Sequence, residues 1–248
     1  MIFDIHSHII PGVDDGASSL EESIEILRAL KAQGVDKVIA TPHFYGSEDS
    51  IPTYVTRISD AFSNLLEKTR TLDLPELFCG SEVRCFRGMS RSEDLKKLCI
   101  HSSRYILLEL PYAPLDTKLV DEINDIAINM ELTPILAHID RYLTYNRYED
   151  IMRLFRYGDI QGQVNADALC HGMGKKKALQ FLQEDACIYL GSDAHNMHTR
   201  PPRMGQAMAY IERKIGEEGL QRLSLRSEKL FHELTKPKGK EETVVTVG

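Results

Sequence analysis

Short apolar runs alternate along this chain with longer segments of helical period. Lys37-Val38-Ile39-Ala40 and Tyr105-Ile106-Leu107-Leu108 are nearly uninterrupted apolar runs. Such runs suit strands covered on both faces, as in a parallel sheet. Strands are predicted near residues 2–6, 37–42, 77–83, 105–110, 133–138, 160–165 and 187–192. Helices are predicted near 19–33, 53–70, 92–98, 117–130, 148–156, 175–184 and 203–216. The first helix carries its own boundaries. Ser19-x-x-Glu22 is a capping box, Leu20, Ile24, Leu27 and Leu30 form one stripe, and Gly34 stops it. Seven strand–helix units follow one another without a break in composition, which predicts one barrel-like α/β domain over residues 1–234. From about Thr235 the chain turns Lys-, Glu- and Gly-rich and loses its period, so 235–248 is expected to be a flexible tail.

A length of 248 residues and a hydrophobic content of 42% allow a core large enough for such a domain. The net charge of −7 argues against nucleic acid and anionic membranes as partners. No apolar stretch is long enough for membrane insertion, and no basic segment followed by an apolar run marks a signal peptide. The five cysteines, Cys79, Cys85, Cys99, Cys170 and Cys187, form no C-x-x-C pair. An odd, scattered set points to reduced thiols and a cytoplasmic protein.

Asp4-Ile5-His6-Ser7-His8 changes the picture most. Side chains two apart on a strand share a face, so His6 and His8 offer paired imidazoles where the first strand runs out into Pro11-Gly12. Asp14-Asp15-Gly16 adds oxygen ligands, although Asp-Gly also suits a simple turn. Ligand-type residues recur at the ends of the other strands: His43, Glu82, Glu109, His138 with Arg141, Asn165, and Asp193 with His195. In a parallel barrel those ends form one rim, where active sites sit. His6, His8, His43, His138, His195, Asp15, Glu82, Glu109 and Asp193 are too many ligands for one ion. Two or three divalent cations fit that number, and a nitrogen–oxygen set without thiolate suits Mn²⁺, Fe²⁺ or Zn²⁺. Three dications would outweigh the four carboxylates, leaving a positive site that attracts an anion such as phosphate. A metal-bound or bridging hydroxide is then the expected nucleophile.

These residues carry a resemblance. The opening motif, Thr41-Pro42-His43, Gly80-Ser81-Glu82-Val83-Arg84, Ala137-His138-Ile139-Asp140-Arg141-Tyr142 and Ser192-Asp193-Ala194-His195-Asn196 resemble the motifs of the polymerase-and-histidinol-phosphatase (PHP) superfamily. The likeness is greatest to its bacterial protein-tyrosine phosphatase branch, which acts in capsule and exopolysaccharide synthesis, and it runs to about Gly205. It implies the PHP fold, a distorted (β/α)7 TIM-like barrel, and a trinuclear, manganese-dependent site. It implies one ion held by His6, His8, Glu82 and Asp193, a second by Glu82, Glu109 and His138, and a third by Asp15, His43 and His195. Glu109 stands where other superfamily members often have His. Arg141 and Arg200 match the family's phosphate-binding arginines. The implied substrate is a phosphotyrosine protein, a bacterial tyrosine kinase dephosphorylated at its Tyr-rich tail, with attack by metal hydroxide and no phosphoenzyme. A homo-oligomer is compatible with the sequence, which leaves oligomeric state open.

Two other functions compete: a small-molecule phosphoesterase such as a histidinol-phosphate phosphatase, and a catalytically silent metal-binding regulatory module. A decoy needs its own argument. Cys85 to Ser92 fits the C-x₅-R-[S/T] loop of cysteine-dependent tyrosine phosphatases. The loop has a single glycine, Arg84 precedes the cysteine, and a thiolate mechanism leaves nine metal-type ligands unexplained. Arg84 is expected to pair with a carboxylate. Arg203 reads equally as a substrate contact or a helix start. His101, His171, His198 and His232 read as surface or structural residues, and Lys175-Lys176-Lys177 as a solvated face. Tyr142, Tyr145 and Tyr148 could line the mouth of the pocket or pack beside it.

Overall fold

In the computed structural model the described residues are 2–156, 159–172, 174–184, 186 and 188–236. Cys187 and the predicted tail from 237 onward lie outside them. Among the described residues nine strands form: β1 (Ile2–Ser7), β2 (Val35–Ala40), β3 (His43–Phe44), β4 (Glu76–Cys79), β5 (Glu82–Arg84), β6 (Tyr105–Glu109), β7 (Thr133–Leu136), β8 (Gln161–Asn165) and β9 (Ile188–Gly191). The helices are α1 (Leu20–Ala32), α2 (Ile51–Thr69), α3 (Thr117–Ile128), α4 (Tyr148–Leu154), α5 (Ala166–Cys170), α6 (Lys175–Gln183) and α7 (Met204–Thr235).

The nine strands occupy seven positions around a parallel barrel, because two predicted strands are each broken. Thr41-Pro42 separates β2 from β3, and Gly80-Ser81 separates β4 from β5. Proline has no N–H to give the ladder. Instead the Pro42 carbonyl accepts from Glu82 N at 3.0 Å and from the Tyr54 hydroxyl at 2.7 Å. The sheets run β1-β2-β4 and β3-β5-β6-β7-β8-β9. The ring closes between β1 and the segment after β9. Ser7 and Ala194 form a parallel bridge, Asp193 N donates to His6 O at 2.8 Å, and His8 N donates to Ala194 O at 2.9 Å.

Strand residues alternate between two apolar layers. Val38, Ile106, Leu108, Leu136, Val164 and Leu190 face the surrounding helices. Phe3, Ile5, Ile39, Phe78, Tyr105, Leu107, Ile135 and Tyr189 fill the barrel. A register irregularity in β1 between Asp4 and Ser7 changes the phase. Across it the inward-facing set changes from Phe3 and Ile5, which join the barrel filling, to His6 and His8, which reach the rim.

Two helical predictions need correction. Residues 93–98 form a 3-10 helix, not an α-helix. The helix expected over 203–216 continues, across a break at Gly216 (φ 71°, ψ 178°), as far as Thr235. Its far end brings Leu230, Phe231 and Leu234 against the barrel filling, where Phe231 stacks on Phe3 with ring centroids 4.8 Å apart. α7 therefore plugs the end of the barrel opposite the rim. α5, directly after β8, was not predicted. Among the described residues no helix is long and apolar enough to cross a membrane.

Candidate metal centre and active site

His6, His8, Glu82, Glu109, His138, Asp193 and His195 are all buried; His43 is partly open and Asp15 exposed. Burying so many ionisable groups together is costly unless each is paired or bound to a cation. Hydrogen bonds fix several of their tautomers. His6 Nδ1 meets Gln163 Oε1 at 3.0 Å, an oxygen that accepts only, so Nδ1 carries the proton and Nε2 keeps its lone pair. His8 Nδ1 lies 2.7 Å from Asp14 Oδ2, and His195 Nδ1 lies 3.0 Å from the Asp193 carbonyl. The same logic leaves both Nε2 atoms free as ligands.

Those free atoms face one another. His6 Nε2 and His8 Nε2 are 3.2 Å apart. Glu82 Oε2 lies 3.0 Å from His43 Nδ1, 3.2 Å from His8 Nε2 and 3.3 Å from His6 Nε2. Although buried, Glu82 Oε2, His43 Nδ1 and His195 Nε2 take no well-aligned hydrogen bond among the described residues. Lone pairs crowded this closely without hydrogens between them fit shared cations. Among the described residues three groups have donor atoms within 4.8 Å of one another: His8, Asp15, His43 and His195; His6, His8 and Asp193; and His43, Glu82 and Glu109. The partition differs from the one implied by resemblance: His8 joins the first group, Glu82 is absent from the second, and His43 rather than His138 belongs to the last. His138 Nε2 is 2.8 Å from Glu82 Oε1 and 3.6 Å from Glu109 Oε1.

Electrostatics follow the same geometry. Without a cation the same carboxylates instead draw a second proton onto His8: burial alone would lower its pKa, but the hydrogen bonds to Asp14 and Glu82 outweigh it and raise it to about 10, and a cation at Nε2 would take that proton's place. Burial by itself would raise Asp14; the His8 hydrogen bond and charge bring it down to about 2. Burial and the nearby His8 charge lower His195 to about 3. Burial also pushes against ionised Asp193, yet the charges of His6, Arg141 and His8 hold it well below the ordinary carboxylate range.

Both predicted phosphate arginines lie at this cluster, on the same carboxylate. Arg200 Nη2 donates to Asp193 Oδ1 and Oδ2 at 2.8 Å, and Arg141 donates to Asp193 Oδ2. The loop carrying Arg200 is shaped by Asn196, whose Oδ1 accepts from the backbone N–H groups of His198, Thr199 and Arg200. Arg84 pairs as expected, with Glu109 at 2.9 Å. Arg203 is held by Asp167 at 2.8 Å. Tyr142 is buried and accepts from Leu110 N, whereas Tyr145 is exposed.

Several residues at the site were not among the nine proposed ligands. Asp14, left open between an oxygen ligand and turn chemistry, binds the His8 ring and accepts from Gly16 N and His43 N at 3.0 Å. Gly16 belongs to the same device, since a Cβ there would lie 2.2 Å from His8 O. Gln163 links the His6 ring to His138 N, and Asn165 passes a hydrogen bond from Gln163 on to Asp193. Asp4 Oδ1 takes Ser192 N at 2.7 Å, tying β1 to the end of β9. Tyr112 donates to Glu109 at 2.8 Å and accepts from Arg141 at 3.2 Å. His138 (φ 32°) and Asp193 (φ 51°) both have left-handed backbone, a strained state for such residues that the surrounding bonds sustain.

The C-x₅-R loop is no rival centre. Cys85 is buried, and burial pushes its thiol far above the usual range, although Arg84 pulls the other way. The loop amides that would cradle a phosphate are already taken: Gly88 N and Ser90 N donate to the Glu122 carboxylate at 2.7 and 3.1 Å.

Fold and rim together define a class, the parallel α/β barrels with a histidine-and-carboxylate site at the C-terminal ends of their strands. Within it, the chain belongs to the capsular polysaccharide synthesis family CpsB/CapC, which matches residues 2–231. It is 28% identical over 225 residues to the tyrosine-protein phosphatase YwqE of Bacillus subtilis, covering 88% of this chain and 86% of that one. It is 29% identical over 227 residues to the tyrosine-protein phosphatase CpsB of Streptococcus pneumoniae, covering 87% and 91%. The crystal structures of YwqE and CpsB, which are metal-dependent tyrosine phosphatases, include a chain that superposes with a TM-score of 0.81 at 26% identity, over 96% of this chain and 97% of that one.

Proposed function

We propose that this chain is a metal-dependent protein-tyrosine phosphatase of bacterial capsular or exopolysaccharide synthesis, cytoplasmic, with its phosphatase machinery in one domain over residues 1–234. The observation that carries the reading is the meeting of Glu82 Oε2 with nitrogens of His6, His8 and His43 within 3.3 Å, in a buried place where no well-aligned hydrogen bond from the described residues satisfies that oxygen. The proposed ligands are His6, His8, Asp15, His43, Glu82, Glu109, His138, Asp193 and His195. The proposed ions are Mn²⁺, two or three of them. When bound, they supply Lewis acidity toward phosphoryl oxygens and make water a nucleophile at neutral pH.

The chain's own residues do the rest. Asp14 and Gln163 hold the proton on Nδ1 of His8 and His6, so each ring presents Nε2 to the centre. Arg141 and Arg200 share one carboxylate and so stand side by side at the mouth. Were Asp193 to serve as a ligand, both guanidiniums would be available to the equatorial oxygens of a phosphate. Tyr112 holds Arg141 from the side. A phenolate with pKa of about 10 leaves without a strong general acid, so none is assigned. No phosphoenzyme is required. The proposed partner is a tyrosine kinase of the polysaccharide export machinery, phosphorylated on its Tyr-rich tail.

The test is hydrolysis of a phosphotyrosine peptide by chelator-stripped protein, with and without Mn²⁺, in wild type, His6→Ala and Cys85→Ser. Activity restored by Mn²⁺, kept in Cys85→Ser and lost in His6→Ala, is expected. Metal-independent activity that dies in Cys85→Ser would overturn the reading. Histidinol phosphate, offered in competition, is expected to be the poorer substrate.

A further inference from the structure

Arg141, Tyr112, Arg84, Tyr45, Asp15 and Arg200 close a ring round the mouth of the metal-ligand cluster. The Tyr112 hydroxyl accepts from Arg141 at 3.2 Å and donates to one oxygen of Glu109 at 2.8 Å. Arg84 holds the other oxygen of Glu109 at 2.9 Å, with its guanidinium 4.9 Å from the centroid of the Tyr112 ring. Tyr45 comes next. β3 and β5 pair His43 with Glu82 and Phe44 with Val83, so the residues that follow, Tyr45 and Arg84, fall level. Strand alternation returns both to the side that carries His43 and Glu82. Tyr45 stacks on His43 with centroids 5.2 Å apart, and both line a cavity of about 400 Å³ together with Asp15. Asp15 meets Arg200 at 3.7 Å, and Arg200 meets Arg141 on Asp193.

The ring divides by chemistry. Arg141, Arg200 and Asp15 belong to the proposed phosphate and metal sites. The remaining arc, contributed by three neighbouring strand ends, is two aromatic rings with a guanidinium between them. Tyr112 is 40% exposed and Tyr45 half-buried. Tyr112 also lies nearly parallel to His138, with centroids 6.2 Å apart. Each tyrosine thus leans on an imidazole of the cluster and still shows part of its ring to solvent. A phosphate ester held at the centre has to pass its organic part through this ring. An aromatic group there gains apolar contact with the two tyrosines and the offset or edge-to-face geometry that aromatic pairs prefer; a short alkyl group gains neither.

We infer that Tyr45 and Tyr112, with Arg84 between them, form a ledge that packs against the aromatic ring of the substrate and so selects aryl phosphates over alkyl phosphates. The inference rests on the phosphatase reading and adds to it the residues that read the leaving group.

The test is titration calorimetry of the full chain loaded with Mn²⁺, using phenylphosphonate and methylphosphonate, whose carbon–phosphorus bonds resist hydrolysis. The quantity read is the ratio of their dissociation constants, with turnover of a phosphotyrosine peptide measured alongside. Wild type is expected to favour phenylphosphonate. Tyr45→Leu and Tyr112→Leu keep apolar bulk and lose the ring; each is expected to lower that preference about threefold, and the pair about tenfold. Tyr45→Phe and Tyr112→Phe keep the ring and are expected to preserve the ratio, although Tyr112→Phe also loses its bonds to Glu109 and Arg141 and weakens both ligands. A purely structural role, acting through His43 or Arg141, lowers both affinities equally. Equal loss in the Leu variants, or a wild type indifferent to the phenyl group, overturns the ledge and leaves the phosphatase reading standing as long as wild type hydrolyses the peptide. A wild type that binds neither phosphonate and hydrolyses no peptide removes both.

Discussion

Asp14 and Gln163 show how much of the site is carried by residues that bind no metal in the proposed scheme. Each fixes the proton on one imidazole and so aims the other nitrogen at the centre. Removing such a partner typically weakens metal affinity about 10- to 100-fold. Asp14→Asn is therefore expected to need about that much more Mn²⁺ for half-maximal activity, with unchanged circular dichroism; unchanged Mn²⁺ affinity by titration calorimetry would refute the role. Asp14 and His8 also set a pH dependence in the metal-free protein. Asp14 is lowered to about 2, so its contribution is present above the ordinary carboxylate pKa and lost as pH falls toward 2. His8 is raised to about 10, so its contribution is full below about 6.5 and lost as pH rises through 10. The excess of wild-type over Asp14→Asn urea midpoints, in chelator, is expected to be greatest between about pH 4 and 6.5.

At the scale of elements, the rim and its opposite end were unequally legible. The rim was legible because strand ends repeat a chemical pattern: His6, His43, Glu82, Glu109, His138 and Asp193 each close an apolar run. The opposite end was missed because the helical period seemed to stop at Gly216. That glycine breaks the helix locally, with φ and ψ open only to glycine, and the chain then resumes it. Leu230, Phe231 and Leu234 are spaced for one helical face, a signal hidden by the polar residues around them. Phe231 is buried between Phe3 and Phe78, with centroids at 4.8 and 4.9 Å. Phe231→Ala is expected to cost roughly 3–5 kcal/mol of stability, measured by urea denaturation, while per-molecule activity of the folded fraction stays near wild type.

At the scale of the whole molecule, the barrel holds mutually repelling groups together at one end and stays folded through the apolar filling at the other. Metal binding removes that conflict, so folding and loading are linked. Adding Mn²⁺ to stripped protein is expected to raise the thermal midpoint, by about 2.7 kcal/mol of stability at a hundred times Kd for one site. His6→Ala is expected to blunt that rise, and a midpoint indifferent to Mn²⁺ would count against a centre at this rim.

The sequence by itself determined the periodicities, and through them the seven strand positions, the parallel class and the run of ligand-type residues at strand ends. Those follow from local rules: alternation, helical stripes and caps. Only tertiary structure decided which ligands share a neighbourhood, that His43 stands beside Glu82, and that Arg141 and Arg200 meet on one carboxylate. It alone turned Asp14 and Gln163 into imidazole partners and filled the C-x₅-R amides with Glu122. The reason is physical: these contacts join residues from 6 to 157 positions apart, through barrel closure and the β1 register irregularity. No local propensity encodes a distance of that kind.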